Sequence, residues 1–165
     1  RYVTLNVSPR RFHAPDLAQR LLAQLDRNQV DHHSIRIEIT EDAMLENPDQ
    51  VLATLAQLRD AGVMAALDDF GTGYSSLSYL HIFPLHAIKI DRSFVRDLEP
   101  EAAGGSAAVV RAVLAMAASL GLQVIAEGVE TEAQRLQLVE LGCTRGQGFL
   151  FGQSMPSNHW LEIAA

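Results

Sequence analysis

Leu67-Asp68-Asp69-Phe70-Gly71-Thr72-Gly73-Tyr74-Ser75-Ser76 is the stretch on which the fold of this chain turns. An apolar run, Val63, Met64, Ala65, Ala66 and Leu67, ends in two adjacent carboxylates, and a glycine-rich turn follows at once. A strand that delivers paired acids to its C-terminal end, backed by a loop, is a seat for divalent metal ions. Its weight comes from other segments of the chain that repeat the construction.

Working outward, strand-like and helix-like segments alternate. Residues 2–7 are β-rich and apolar at Val3, Leu5 and Val7, and residues 16–25 carry Leu17, Leu21, Leu22 and Leu25 at helical spacing. Ile35, Ile37 and Ile39 alternate with polar residues in a second strand. Asn47 and Pro48 supply an N-cap and a first helical position for a helix that Gly62 stops. After the acid-pair strand come a short helix around 75–81, a strand at 87–91 and a glycine-containing loop at 102–106. A helix over 107–120, a strand at 122–127 and a helix opened by the Thr131/Gln134 capping box follow. A less regular strand at 147–151 and a short helix capped by Ser157 and holding Trp160 complete the series.

Alternating βα units with apolar strands imply a parallel sheet covered by helices. A polar residue at the end of strand after strand narrows the α/β class to a TIM-like (β/α) barrel, whose active site lies on that rim. The chain has 165 residues, and such barrels rarely fall below ~200 residues and eight strands. About six of eight strands are therefore expected, with the N-terminal ones missing, and residues 1–165 form one N-terminally truncated domain. The start at Arg1-Tyr2-Val3, without an initiator Met, fits a position inside a longer protein.

Composition sets limits. With 48% hydrophobic and 20% charged residues the chain is globular rather than disordered. A net charge of −7 excludes a broad surface for a nucleic-acid polymer, but not a small phosphorylated ligand held through metals. The lone Cys143 rules out an intramolecular disulfide and a cysteine-rich zinc site, which points to a reducing, cytoplasmic setting. The six histidines show no HxH or HExxH spacing; His32 and His33 read as surface residues, and His86 as a loop or helix-end residue.

The rim residues are Asn6, Glu38, Asp68 with Asp69, Lys89 with Asp91, Glu127 and Gln147. Hard oxygen ligands of this kind suit Mg2+ or Mn2+. More of them converge than one Mg2+ takes from protein, so two ions are expected. Two ions about 3.5–4 Å apart support in-line phosphoryl displacement by water. Set beside this, a single acid at a strand end is more often a helix cap or surface charge, and Lys89 between Ile88 and Ile90 fits a structural ion pair equally well.

The motifs Leu5-Asn6-Val7-Ser8, Glu38-Ile39-Thr40-Glu41, Leu67 to Tyr74, Ile88-Lys89-Ile90-Asp91, Ala126-Glu127-Gly128-Val129-Glu130 and Gln147-Gly148-Phe149 stand in this order. In their order and spacing the chain resembles the EAL domain family of bacterial cyclic di-GMP phosphodiesterases, up to about Pro156. The resemblance implies two-metal hydrolysis of one phosphodiester of cyclic di-GMP to linear pGpG. By position it makes Asn6, Glu38 and Asp68 ligands of a first metal, and Asp68, Asp69 and Glu127 ligands of a second. Lys89 and Glu127 become the catalytic pair that handles the attacking water. Gln147, Asp91 and Glu130 match substrate-contacting positions. Glu41 anchors the loop containing Phe70, Gly71, Thr72, Gly73 and Tyr74, which couples the site to a homodimer contact. Upstream sensor or GGDEF domains, and membrane anchoring through an upstream segment, are also compatible with the family.

One departure stands out. No Glu-Ala-Leu motif occurs in these residues, and in the family that glutamate is a further ligand of the first metal. The runner-up expectation is therefore a catalytically silent cyclic di-GMP-binding or dimerisation module. An enolase-like enzyme with one Mg2+ is disfavoured, because the Asp68-Asp69 pair and Asn6 fit two metals better.

Overall fold

In a computed structural model, residues 2–71, 80–98 and 105–156 are described. Five strands form one wholly parallel sheet in sequence order: β1 (Val3–Asn6), β2 (Ile35–Thr40), β3 (Met64–Phe70), β4 (Ala87–Ile90) and β5 (Gln123–Ala126). The connections contain α1 (Pro9–Phe12), α2 (Leu17–Arg27), α3 (Glu41–Glu46), α4 (Pro48–Asp60), α5 (Arg92–Arg96) and α6 (Gly105–Leu120), and α7 (Glu132–Leu141) follows β5. Sequential strand order with helical crossovers is barrel topology. The incomplete TIM-like barrel expected from the sequence is the fold.

Side-chain alternation explains how the sheet divides its residues. Ile35, Ile37 and Ile39 lie in the core beneath the helices with Phe12, Val51, Leu55, Leu58, Ile88, Ile90 and Val95. The alternate positions, Arg36 and Glu38, take the opposite, concave face. Local signals agree with the elements they predict. Asn47 accepts the Gln50 N–H at the start of α4, Thr131 and Gln134 close a reciprocal capping box on α7, and Gly142 ends that helix with φ 96°.

Three readings change. The strand expected at 147–151 is a single bridge between Ala126 and Gly146. Gln147 N–H still donates to Ala126 O of β5, but the other backbone groups go elsewhere: Val129 N–H donates to Gln147 O, Leu150 N–H to Val129 O, and Phe151 N–H to Gly148 O. The loop expected at 102–106 gives way to α6 already at Gly105. His32 is half-buried, with Nε2 3.0 Å from Asp26 Oδ1 and Nδ1 3.1 Å from Ala61 O, tying the ends of α2 and α4 together. Most of the helix expected around 75–81, and the final helix with Trp160, fall outside the described residues.

Gly148 shows how closely the two segments after β5 pack. A Cβ there would stand 2.2 Å from Val129 O and 2.3 Å from Val129 N. Replacing Gly148 with Ala is expected to lower stability by about 1–3 kcal/mol, the range for overpacking a filled site, as read by urea unfolding. The cost falls on the turn that follows Glu127.

Candidate active site

The strand ends bring the acids together. Asn6 closes β1 opposite Glu38 in β2, and Thr40 pairs with Asp68 in β3. Lys89 of β4 pairs with Ile125 of β5, and Glu127 follows directly after β5, its N–H donating to Ile90 O at 3.1 Å. Lys89 lies at the centre of the group. Its Nζ is 2.9 Å from Glu38 Oε1, 3.0 Å from Asp68 Oδ1 and 2.6 Å from Glu127 Oε1.

An ammonium has three N–H donors, and here three carboxylates surround it. Lys89 is 3% exposed and Glu38 5%, so the charges interact with little screening. Burial works against the Lys89 charge, but Glu127, Glu38 and Asp68 outweigh it and hold the ammonium firmly protonated. One cation cannot neutralise three carboxylates, of which Glu38 is buried and Asp68 and Glu127 are half-buried. The remainder appears at Glu127, whose carboxyl is pushed up to about 7 by burial and by Asp68 and Glu38, against the pull of Lys89.

Asp69 reaches the same group by a backbone irregularity. Between β3 and β4, Leu67 pairs with Ile88 but Phe70 with Ile90, so β3 carries one extra residue, a β-bulge. Asp69 has φ 55°, a left-handed conformation that aspartate tolerates better than most residues. Regular alternation would send Asp68 and Asp69 to opposite faces. With the bulge, one oxygen each from Asp68, Asp69 and Glu127 lies within 4.8 Å of the others. Burial, then Asp68 and Asp91, raise the Asp69 carboxyl, while Lys89 and Arg92 oppose the shift.

The donor set fits divalent metal ions. It is all oxygen, more anionic than Lys89 can balance, and Asp68 Oδ1 is buried with no well-directed hydrogen bond despite its ion-pair contact with Lys89. The residues available to such ions are Asp68, Asp69 and Glu127, with Glu38 beside them.

Other expected site residues sit differently. Asp91 caps α5, its Oδ1 accepting from Ser93 N–H at 2.9 Å and from the Ser93 hydroxyl. Burial pushes the Asp91 carboxyl up, but these bonds and Arg92 hold it below its ordinary value. Glu130 is exposed, and its N–H donates to Gln134 Oε1 at 2.8 Å. Gln147 is exposed and lines a cavity of about 890 Å³ that also touches Glu38, Tyr2, Thr4 and Ile125. Glu41 is buried at the start of α3, and Phe70 is buried at the end of β3. Gly71 faces the Phe94 ring with φ 98°, whereas Thr72, Gly73 and Tyr74 lie outside the described residues. Arg92, which follows the Lys89–Asp91 motif and acts on both Asp69 and Asp91, was not singled out from the sequence. Its only sequence signal was adjacency to that motif.

Comparison with known proteins settles the family. A model of the EAL domain matches residues 1–154. The chain belongs to the EAL domain family. As an EAL chain it is 40% identical over 163 residues to the cyclic di-GMP phosphodiesterase RocR of Pseudomonas aeruginosa, covering 99% of this chain and 41% of RocR. Among solved structures, the PaMucR phosphodiesterase in complex with c-di-GMP superposes with TM-score 0.89 at 39% identity, over 96% of this chain and 64% of that one. Klebsiella pneumoniae BlrP1, in a manganese/cy-diGMP complex, gives TM-score 0.83 at 37% identity, over 92% of this chain and 38% of that one. The chain thus spans well under half of its full-length relative RocR. Among the described residues, no helix is long and apolar enough to cross a membrane.

A carboxyl whose folded-state pKa is raised favours folding while it is protonated. The stability it contributes is full at low pH and is lost as pH rises from the ordinary glutamate value, 4.5, through about 7. The metal-free chain should therefore lose stability between pH 5 and 7. Glu127→Gln should remove much of that slope, as measured by thermal unfolding in chelator at each pH. An unchanged slope in the variant would place the charge excess elsewhere.

Proposed function

We propose that this EAL chain carries the catalytic rim of a metal-dependent phosphodiesterase that opens one phosphodiester of cyclic di-GMP to give linear pGpG. The observation that carries the reading is the convergence of Asp68, Asp69 and Glu127 around a buried Lys89 at the C-terminal ends of parallel strands. Relatives at 39–40% identity support the substrate: RocR is a cyclic di-GMP phosphodiesterase and PaMucR is seen with c-di-GMP. The manganese in the BlrP1 complex supports a divalent cofactor, Mg2+ or Mn2+.

Two such ions, when bound, supply Lewis-acid charge to the scissile phosphate and its nucleophile. Asn6, Glu38 and Asp68 would hold the first, with Asp68 shared, and Asp69 and Glu127 the second. Lys89 Nζ is in ion-pair contact with Glu38, Asp68 and Glu127. With cations holding these carboxylates, the Lys89 ammonium would be available to orient the attacking water. Glu127, with its carboxyl near neutrality, is suited to take the proton that this water gives up. Gln147, on the cavity beside Glu38, is the candidate contact for the nucleotide, with Asp91 and Glu130 in supporting positions. Glu41 would brace the 70–74 loop, a candidate link to a homodimer contact. The chain is read as the truncated barrel of a longer bacterial cytoplasmic protein with upstream sensor or GGDEF domains.

A second reading is favoured by one observation. The Glu-Ala-Leu glutamate does not occur in the 165 residues, and within them Glu38 and Asp68 are the anionic residues assigned to the first metal. On that reading the chain binds cyclic di-GMP without turnover.

The test is hydrolysis of cyclic di-GMP in Mn2+, with pGpG resolved by chromatography and Mn2+ binding followed separately by electron paramagnetic resonance. Turnover is expected, abolished by chelator. It should fall by about 10²–10⁴-fold in Lys89→Ala and Glu127→Gln, the range for lost proton-transfer groups. Asp68→Asn should lose both turnover and tight Mn2+. Nucleotide binding with no pGpG under saturating Mn2+ would select the second reading.

A further inference from the structure

The three acids of the candidate metal site do not come from neighbouring strands. Asp68 and Asp69 lie at the end of β3 and Glu127 follows β5, with β4 between them. Two strand spacings, about 10 Å, separate β3 from β5. Yet one oxygen from each acid lies within 4.8 Å of the others. The acid-bearing turns therefore lean toward one another over the end of β4. What stands at that end is α5, which begins directly after Asp91.

α5 touches both turns. On the β3 side, Gly71 follows two residues after Asp69 and lies against the Phe94 ring. A Cβ on Gly71 would stand 2.9 Å from Phe94 Cε2 and 3.2 Å from its Cζ. On the β5 side, Gly128 follows Glu127 and lies against the first residue of the helix. A Cβ there would stand 2.5 Å from Arg92 Cβ and 3.4 Å from Arg92 Cα. Both glycines have positive φ, 98° and 67°, so each turn meets α5 in a conformation and at a distance that a side chain resists.

The helix is itself fixed. Asp91 Oδ1 accepts from Ser93 N–H at 2.9 Å, Phe94 N–H donates to Asp91 O at 3.1 Å, and Val95 and Leu98 are buried. Phe94 is half-buried and packed against the core. The turns depend more on what surrounds them. Asp69 holds a left-handed φ of 55°, and a non-glycine residue keeps such a conformation only where its neighbours dictate it. Glu127 N–H donates to Ile90 O at 3.1 Å, two residues before α5 begins. A packed ring on one side and a helical backbone on the other compress little, so the width of α5 limits how the two turns approach.

We propose that α5 is the spacer of the metal site: Phe94 positions Asp69 through Gly71, and the start of the helix at Arg92 positions Glu127 through Gly128, so that one divalent ion is held by both carboxylates. Phe94 and Gly128 are positioning residues, and neither offers a side-chain ligand atom. The inference rests on the metal-dependent reading given above and extends it to residues outside the ligand set.

The test is Mn2+ binding by the metal-free chain, followed by electron paramagnetic resonance without substrate, below the measured Tm of each variant. Phe94→Leu keeps the position apolar but removes the ring face against Gly71. It should weaken Mn2+ binding about 10–100-fold, the range for residues that orient metal ligands. Phe94→Tyr keeps the ring and should bind as the wild type does. Gly128→Ala, which displaces the turn after Glu127 from the other side, should show a loss like that of Phe94→Leu. Val63→Ala, at a buried position just before β3 and so at the far end of that strand from Asp69, controls for general destabilisation: Tm should fall and affinity should not. Wild-type affinity in Phe94→Leu, or an equal loss in Val63→Ala, would overturn the proposal and leave the metal reading in place. A wild-type chain that binds no Mn2+ would overturn both.

Discussion

Three carboxylates held against one buried ammonium are the constraint around which this end of the molecule is arranged. Lys89 has Glu38, Asp68 and Glu127 within 3.0 Å, and these groups arrive from four different strand ends. A buried pair of this kind contributes little net stability, because desolvation offsets attraction, yet removing one partner is costly. Its more direct consequence is chemical. The group carries negative charge beyond what Lys89 neutralises, and burial together with that excess raises the carboxyls of Glu127 and Asp69. Such a cluster is poised to accept further cations and to hold a proton-accepting group near neutral pH.

The bulge in β3 is the second element of the site. Without it, one of Asp68 and Asp69 would be turned into the helix-covered core, where a carboxylate has no partner. The extra residue between Leu67 and Phe70, with Asp69 at φ 55°, turns both acids toward one space while Leu67 and Phe70 stay buried. A left-handed non-glycine residue costs on the order of 1–3 kcal/mol. The fold carries that strain at the position where two adjacent acids meet Glu127.

β2 contributes Arg36 to one end of the barrel and Glu38 to the other, and the β4 segment contributes His86 and Lys89. Parallel strands make this separation simple, since every strand start lies at one mouth and every strand end at the other. Every residue of β1 is exposed, and the chain covers 64% of the PaMucR structure it matches.

Much of the fold and the rim could be read from the sequence because their signals are local. Hydrophobic periodicity, the Asn47 and Thr131 caps, Gly142 at a helix end, and acids placed directly after apolar strands depend on neighbours a few residues apart. So the βα alternation, the barrel class and the rim set of Asn6, Glu38, Asp68, Asp69, Lys89 and Glu127 were determined by sequence alone. Tertiary structure decided the rest. It reduced the strand at 147–151 to one bridge, because the loop after Glu127 claimed its backbone hydrogen bonds. It tied Asp91 into a helix cap. It put three carboxylates rather than one or two around Lys89, and through an unforeseen bulge it brought neighbouring aspartates to one side. These outcomes depend on register, backbone strain and the sharing of hydrogen bonds between distant segments, and no local pattern of residues encodes them.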